Sequence, residues 1–174
     1  MKLRSIVLAA ALAVTGASAS ATTTNLGAAL VGVPLSFGGF ATVGNFSDIF
    51  TFSLPTNGGS GYAVSNFMAL PAQYNTVLST LSLVSNPDGI LFNLDDALVS
   101  STVVPGGNSL SMAVGAVASG NYYLNVTGLS NGTTGGIYNG AISVSAIPEP
   151  ETYALMLAGL GIIGFIGARR RDRR

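Results

Sequence analysis

Asp48-Ile49-Phe50-Thr51-Phe52-Ser53-Leu54 is the stretch on which the fold turns. Phe50, Phe52 and Leu54 occupy every second position, with Thr51 and Ser53 between them. On an extended chain such residues share one face, so the segment reads as a half-buried strand. Aromatic residues and threonine suit that pleated surface. A helix would spread the same apolar side chains around its circumference. Pro55 and Asn57-Gly58-Gly59 then stop the strand. Asp48 reads as the cap at its start.

The same signature recurs outward in both directions. Val31 to Phe37 reads as a first strand, ended by Gly38-Gly39. Downstream, Tyr62 to Leu70 is closed by Pro71, and Leu78 to Val84 by the β-turn Asn86-Pro87-Asp88-Gly89. Ile90 to Leu94 is expected to pair back as a hairpin. Leu98 to Val104 and Ser109 to Val117 flank a turn at Pro105-Gly106-Gly107-Asn108. Tyr122, Leu124 and Val126 share a face, with Tyr123 on the other, and Ile137 to Ala146 comes last. Some eight or nine short strands spaced about ten residues apart predict an all-β body, an antiparallel β-sandwich or jelly roll. A parallel β-solenoid is the alternative, but no repeat of fixed length supports it. The body has no lysine to guard its sheet edges; Pro34, Pro55, Pro71 and Pro105 are expected to do so instead.

Charge is confined to the ends. Lys2 and Arg4 open the chain, and Arg169, Arg170, Arg171, Arg173 and Arg174 close it. Between Thr22 and Ile147 the only charged residues are Asp48, Asp88, Asp95 and Asp96. Such a body repels nucleic acid, whose binding needs Lys or Arg on phosphates. With no Cys or His in the chain and no Lys or Arg in the body, it lacks the usual nucleophile-base pairs and oxyanion cations. Two carboxylates can cleave a glycoside, yet Asp95 and Asp96 are adjacent and point to opposite faces of an extended chain. No enzyme is expected. Calcium is the one cofactor considered, since it takes carboxylate and carbonyl oxygens. Asp88, Asp95 and Asp96, with Asn86 and Asn93 nearby, are its candidate ligands; in the plainer alternative they are turn residues. Tyr62, Tyr74, Tyr122, Tyr123 and Tyr138 offer stacking faces to a glycan or else fill the core. One of Tyr122 and Tyr123 is expected to be exposed.

The two ends read as targeting segments. Residues 1–21 have a basic start, an apolar run from Ile6 to Val14, and small-x-small sites at Ala17-Ser18-Ala19 and Ala19-Ser20-Ala21. That is the form of a secretory signal, cut after Ala21 or after Ala19, and it implies passage through the translocon and signal peptidase. Residues 147–174 form a three-part tail: Pro148-Glu149-Pro150, an apolar run over 153–168, and the arginine cluster. As a helix that run spans about 24 Å, a short transmembrane helix with Tyr153 at one interface. The arginines stay cytoplasmic and place everything before Pro148 outside the inner membrane. Residues 22–146 are then the β-sandwich body.

The tail resembles the PEP-CTERM sorting signal of Gram-negative bacteria. That resemblance implies recognition by an exosortase, a membrane cysteine transpeptidase or protease, with cleavage near Pro148-Glu149-Pro150. It implies a transiently anchored protein destined for the cell surface, in bacteria that make exopolysaccharide and biofilm. Within the body, Phe46-Ser47-Asp48-Ile49-Phe50 resembles the FxDxF signature of one subfamily of these proteins, and Gly120 to Gly128 its G-x-Y-x-L-x-V-x-G strand. Both segments are also similar to bacterial pre-peptidase C-terminal β-sandwich modules. The function these readings imply is an exported surface or extracellular-matrix protein. The alternative is a secreted calcium- or glycan-binding module.

Overall fold

A computed structural model describes residues 20–67, 72–146 and 154–163. Nine strands occur among the described residues: β1 (Thr23–Ala28), β2 (Leu35–Ala41), β3 (Gly44–Leu54), β4 (Gly58–Asn66), β5 (Thr76–Ser85), β6 (Ala97–Gly107), β7 (Ser109–Val117), β8 (Gly120–Ser130) and β9 (Gly136–Ala146). They form a sheet ordered β1-β3-β8-β5-β6 and a second ordered β2-β9-β4-β7. The chain changes sheet at every connection except the one between β5 and β6. With β1 set aside, this is the strand order of a jelly roll. Two sheets of largely antiparallel strands leave no room for the solenoid alternative.

The core fills the space between the sheets. Phe46, Phe50, Phe52 and Leu54 of β3 face it with Leu78, Leu81 and Leu83 of β5 and Leu124 and Val126 of β8. Tyr62, Val64, Leu110, Met112, Tyr138 and Ile142 meet them from the other sheet. Each such aliphatic or aromatic side chain contributes about 1.5–3 kcal/mol by leaving water. The alternation read in residues 50–54 is thus the inner face of β3, and it continues back through Phe46.

Four expectations need correction. The chain does not begin its sheets at Val31. β1 runs parallel to β3, with Thr23 beside Ile49 and Ala28 beside Ser53. It is exposed along most of its length, so no apolar alternation announces it. Val31 makes only an isolated bridge to Val144. Second, Gly38-Gly39 is not a turn but the middle of β2. A Cβ on Gly38 would lie 2.7 Å from the Tyr138 carbonyl oxygen, and one on Gly39 would lie 2.9 Å from the Tyr138 hydroxyl. Third, residues 90–94 form no strand. Phe92 takes a left-handed backbone (φ 62°), and carboxylates bind the backbone N–H groups of Ile90 and Phe92. The hairpin partner of β5 is β6 alone. Fourth, β6 continues through Pro105 to Gly107, where a turn was expected.

Two of the four prolines expected to guard edges lie at sheet edges. Pro34 leads into β2 and Pro105 lies within β6, both edge strands. Pro55 follows β3, an interior strand, and Pro71 lies outside the described residues. Residues 154–163 form a helix, α1, whose side chains are all exposed, Leu155 and Ile163 among them. Among the described residues no helix is long and apolar enough to cross a membrane. The remainder of the apolar run expected at 153–168 lies outside them, as does the secretory signal up to residue 19.

Candidate functional site

The most unusual position in the sandwich is Asp48. It is not a strand cap. It sits in the middle of β3, between Phe46 and Phe50 on the inward face, and is 1% exposed. A carboxylate placed among aromatic rings must have its oxygens satisfied or be strongly destabilising. Three donors meet it. The Thr22 backbone N–H and hydroxyl donate to Oδ1 at 2.9 and 2.7 Å. The Tyr138 hydroxyl of β9 donates to Oδ2 across the gap between the sheets. Burial, and then the hydrogen bond and charge of Asp48, push the Tyr138 phenol well above its usual range.

Tyr138 also organises the rings beside it. Phe46 stacks on it with centroids 5.2 Å apart, and Phe50 meets it edge-on at 6.3 Å. Phe46, Asp48 and Phe50 therefore converge on one tyrosine of the opposite sheet. Phe46 is also paired with Gly128 of β8, where a Cβ would lie 2.7 Å from the Phe46 ring. The two sequence signatures noted in the body are thus neighbours in one ladder. Sequence reading missed Tyr138 and Thr22 as partners. Its one available signal was the alternation itself, which puts Asp48 on the same face as Phe50 and Phe52.

A second polar group lies on the outer face of the first sheet. The loop 86–96 folds over Tyr123, whose ring meets Phe92 edge-on at 5.9 Å. The Tyr123 hydroxyl donates to Asp96 Oδ2 at 3.3 Å, and the Phe92 N–H donates to the same oxygen at 2.6 Å. Burial, followed by the charge and hydrogen bond of Asp96, raises the Tyr123 pKa. Asp96 Oδ1 is buried without a donor. Asp88 caps its own turn through the Ile90 N–H and accepts from the Asn93 amide at 2.8 Å. Asp95 is exposed.

Asp88, Asp95 and Asp96 are not gathered into a cation site. Among the described residues no group of three or more acidic, His or Cys side chains stands where it could hold a metal ion. The glycan-stacking idea is also corrected. Tyr62, Tyr122, Tyr123 and Tyr138 are 2%, 5%, 4% and 1% exposed, and Tyr74 is half-buried against Phe40. Tyr122 and Tyr123 do face opposite sides of β8, yet both are covered, Tyr122 by the core and Tyr123 by the loop. Asp48 and Asp96 also lie on opposite faces of the sheet, so they cannot flank one glycosidic bond.

The candidate sorting residues Pro148, Glu149 and Pro150 and the cluster Arg169, Arg170, Arg171, Arg173 and Arg174 lie outside the described residues. The PEP-CTERM protein-sorting motif matches residues 146–171. The chain therefore carries this sorting motif, which implies export and exosortase handling through a membrane-anchored signal. No curated protein matches the chain. Among solved structures, the pre-peptidase C-terminal domain of a collagenase from Bacillus anthracis is similar, with a TM-score of 0.42 and 16% identity over 70% of this chain and 94% of that domain.

Proposed function

We propose that the protein is a structural component of the bacterial cell surface or extracellular matrix. It leaves the cytoplasm through the secretory translocon, loses its leader to signal peptidase, and is cut by an exosortase near Pro148-Glu149-Pro150. The host is a Gram-negative bacterium, the destination its exopolysaccharide or biofilm matrix, and Phe46, Asp48 and Phe50 mark the FxDxF subfamily. The observation that carries the reading is the junction. The sorting match begins at Ala146, the last residue of β9. A cut at the Pro-Glu-Pro run releases a sandwich with every strand intact.

The chemistry of the body agrees with a structural role. Its one deeply buried carboxylate is consumed by Thr22 and Tyr138. The alternative, a calcium- or glycan-binding module, loses support because the carboxylates are dispersed and most of the tyrosine faces are covered. Heat on titration with calcium chloride would restore it. The reading itself is tested by replacing Pro148, Glu149 and Pro150 with alanine. The variant is expected to accumulate in the inner membrane with its tail attached. Unchanged release would contradict the reading.

A further inference from the structure

Among the described residues Asp48 has no counter-ion. No cation stands against it among the described residues, and the chain has no Lys, Arg or His between Thr22 and Ile147. A buried carboxylate without an opposite charge costs several kcal/mol even after relaxation. Two of its three hydrogen bonds come from Thr22. Thr22 immediately follows Ala19-Ser20-Ala21, one of the two small-x-small sites at the end of the leader.

We propose that leader cleavage falls after Ala21, and that the α-ammonium group it creates at Thr22 is the missing counter-ion of Asp48. The inference rests on the export reading above. In the cleavage, water adds across the Ala21–Thr22 peptide bond. Ala21 leaves as a carboxylic acid, its proton passing to the Thr22 nitrogen. That nitrogen already lies 2.9 Å from Asp48 Oδ1, so an ion pair forms without moving the strand. The Thr22 carbonyl is held at 2.8 Å by the Ile49 N–H, which keeps the new terminus in place. Maturation thus supplies the only cation of a core that is otherwise complete.

The other site does not do this. Cleavage after Ala19 puts the charge on Ser20, whose nitrogen faces the Asn45 carbonyl at 2.9 Å, and leaves a neutral amide against Asp48. Cleavage after Ala21 forfeits the Ser20 bonds to the Asn45 carbonyl and from the Ser47 N–H. Asn45 is exposed and Ser47 only half-buried, so water replaces both bonds. Around Asp48 the other packed elements bring Tyr138 from β9, Val126 from β8 and the bare backbone of Gly39 from β2, none of them charged.

The chain's composition makes the test direct. Lys2 is the only lysine, so the mature protein has one primary amine, its α-amino group. The protein is recovered from cells expressing the whole chain, its N-terminus is sequenced, and its acylation by an amine-directed ester is timed near neutral pH. We expect Thr22 at the N-terminus. We expect the folded protein to react about tenfold more slowly than the same protein in denaturant, because the carboxylate holds the amine in its unreactive protonated form. Asp48→Asn is expected to abolish most of that ratio. The comparison of folded and denatured wild type stands even if that variant fails to fold. An N-terminus at Ser20, or equal rates in both states, would overturn the inference and leave export standing. A retained leader would overturn both.

Discussion

Two aspartate–tyrosine pairs are built into the same sheet, one on each face. Asp48 and Tyr138 join the two sheets through the core, and both carboxylate oxygens have donors. Asp96 and Tyr123 tie the loop 86–96 to the outer face, and one Asp96 oxygen has no donor. The functional groups are the same, and the difference lies in what each pair holds. The inner pair fixes β3, β9 and the segment at Thr22 together, with Phe46 and Phe50 packed on its tyrosine. The outer pair fixes one exposed loop. A complete set of hydrogen bonds in the buried core marks a structural lock; an incomplete set at the periphery marks a local clasp.

The largest expected effect is the loss of the inner carboxylate. Asp48→Ala removes three hydrogen bonds and strands the Tyr138 hydroxyl, at an expected cost of about 3 kcal/mol or more. Asp96→Ala should cost only about 1 kcal/mol. Urea unfolding of both variants checks this, and equal losses would break the comparison. The tyrosines sharpen it. Tyr138→Phe leaves Asp48 Oδ2 buried without a donor and is expected to cost about 1–3 kcal/mol. Tyr123→Phe should fall below about 1 kcal/mol, because the bond it removes lies under a surface loop.

Alkaline pH tests the core from another direction. Burial pushes the Tyr62 phenol up to about 12, and Tyr138 is raised as well. A raised folded pKa means that the folded state holds its proton more tightly than the unfolded chain. The stability it confers is fully present below about pH 10, the ordinary tyrosine value, and is lost as pH rises toward 12. Tyrosinate absorbance and circular dichroism should therefore change together in that window. Tyrosinate forming without loss of structure would show that these phenols reach water.

A separate, small effect concerns Phe92. Its left-handed backbone costs about 1 kcal/mol that glycine does not incur. Phe92→Ala and Phe92→Gly both lose the ring contact with Tyr123. The glycine variant should nevertheless be the more stable by about 1 kcal/mol, as read by thermal melts. A more stable alanine variant would mean that the loop sets φ differently.

Most of the sandwich was legible because most of its strands bury one face. Residues 50–54, 81–83, 124–126 and 142–144 alternate in sequence and in burial alike. β1 was not legible, because an edge strand held by backbone bonds needs no apolar pattern. Residues 90–94 looked like a strand by composition, yet side-chain capping by Asp88 and Asp96 turned them into a loop. Asp48 was legible as a position but not as a role. Its charge suggested a surface cap, and only the partner from β9, ninety residues away in the chain, makes an inward carboxylate tenable. The convergence of Phe46, Asp48 and Phe50 on Tyr138 is a tertiary fact, which no local pattern records.

The central claim is that an intact sandwich is released from its sorting tail, and intact mass spectrometry of the protein recovered from envelope and medium tests it most directly. The predicted mass is that of a chain running from Thr22 to the Pro148–Pro150 region, with or without a group added at the new C-terminus. A mass that extends through Arg174 in every fraction would contradict the claim and make the tail a permanent part of the protein.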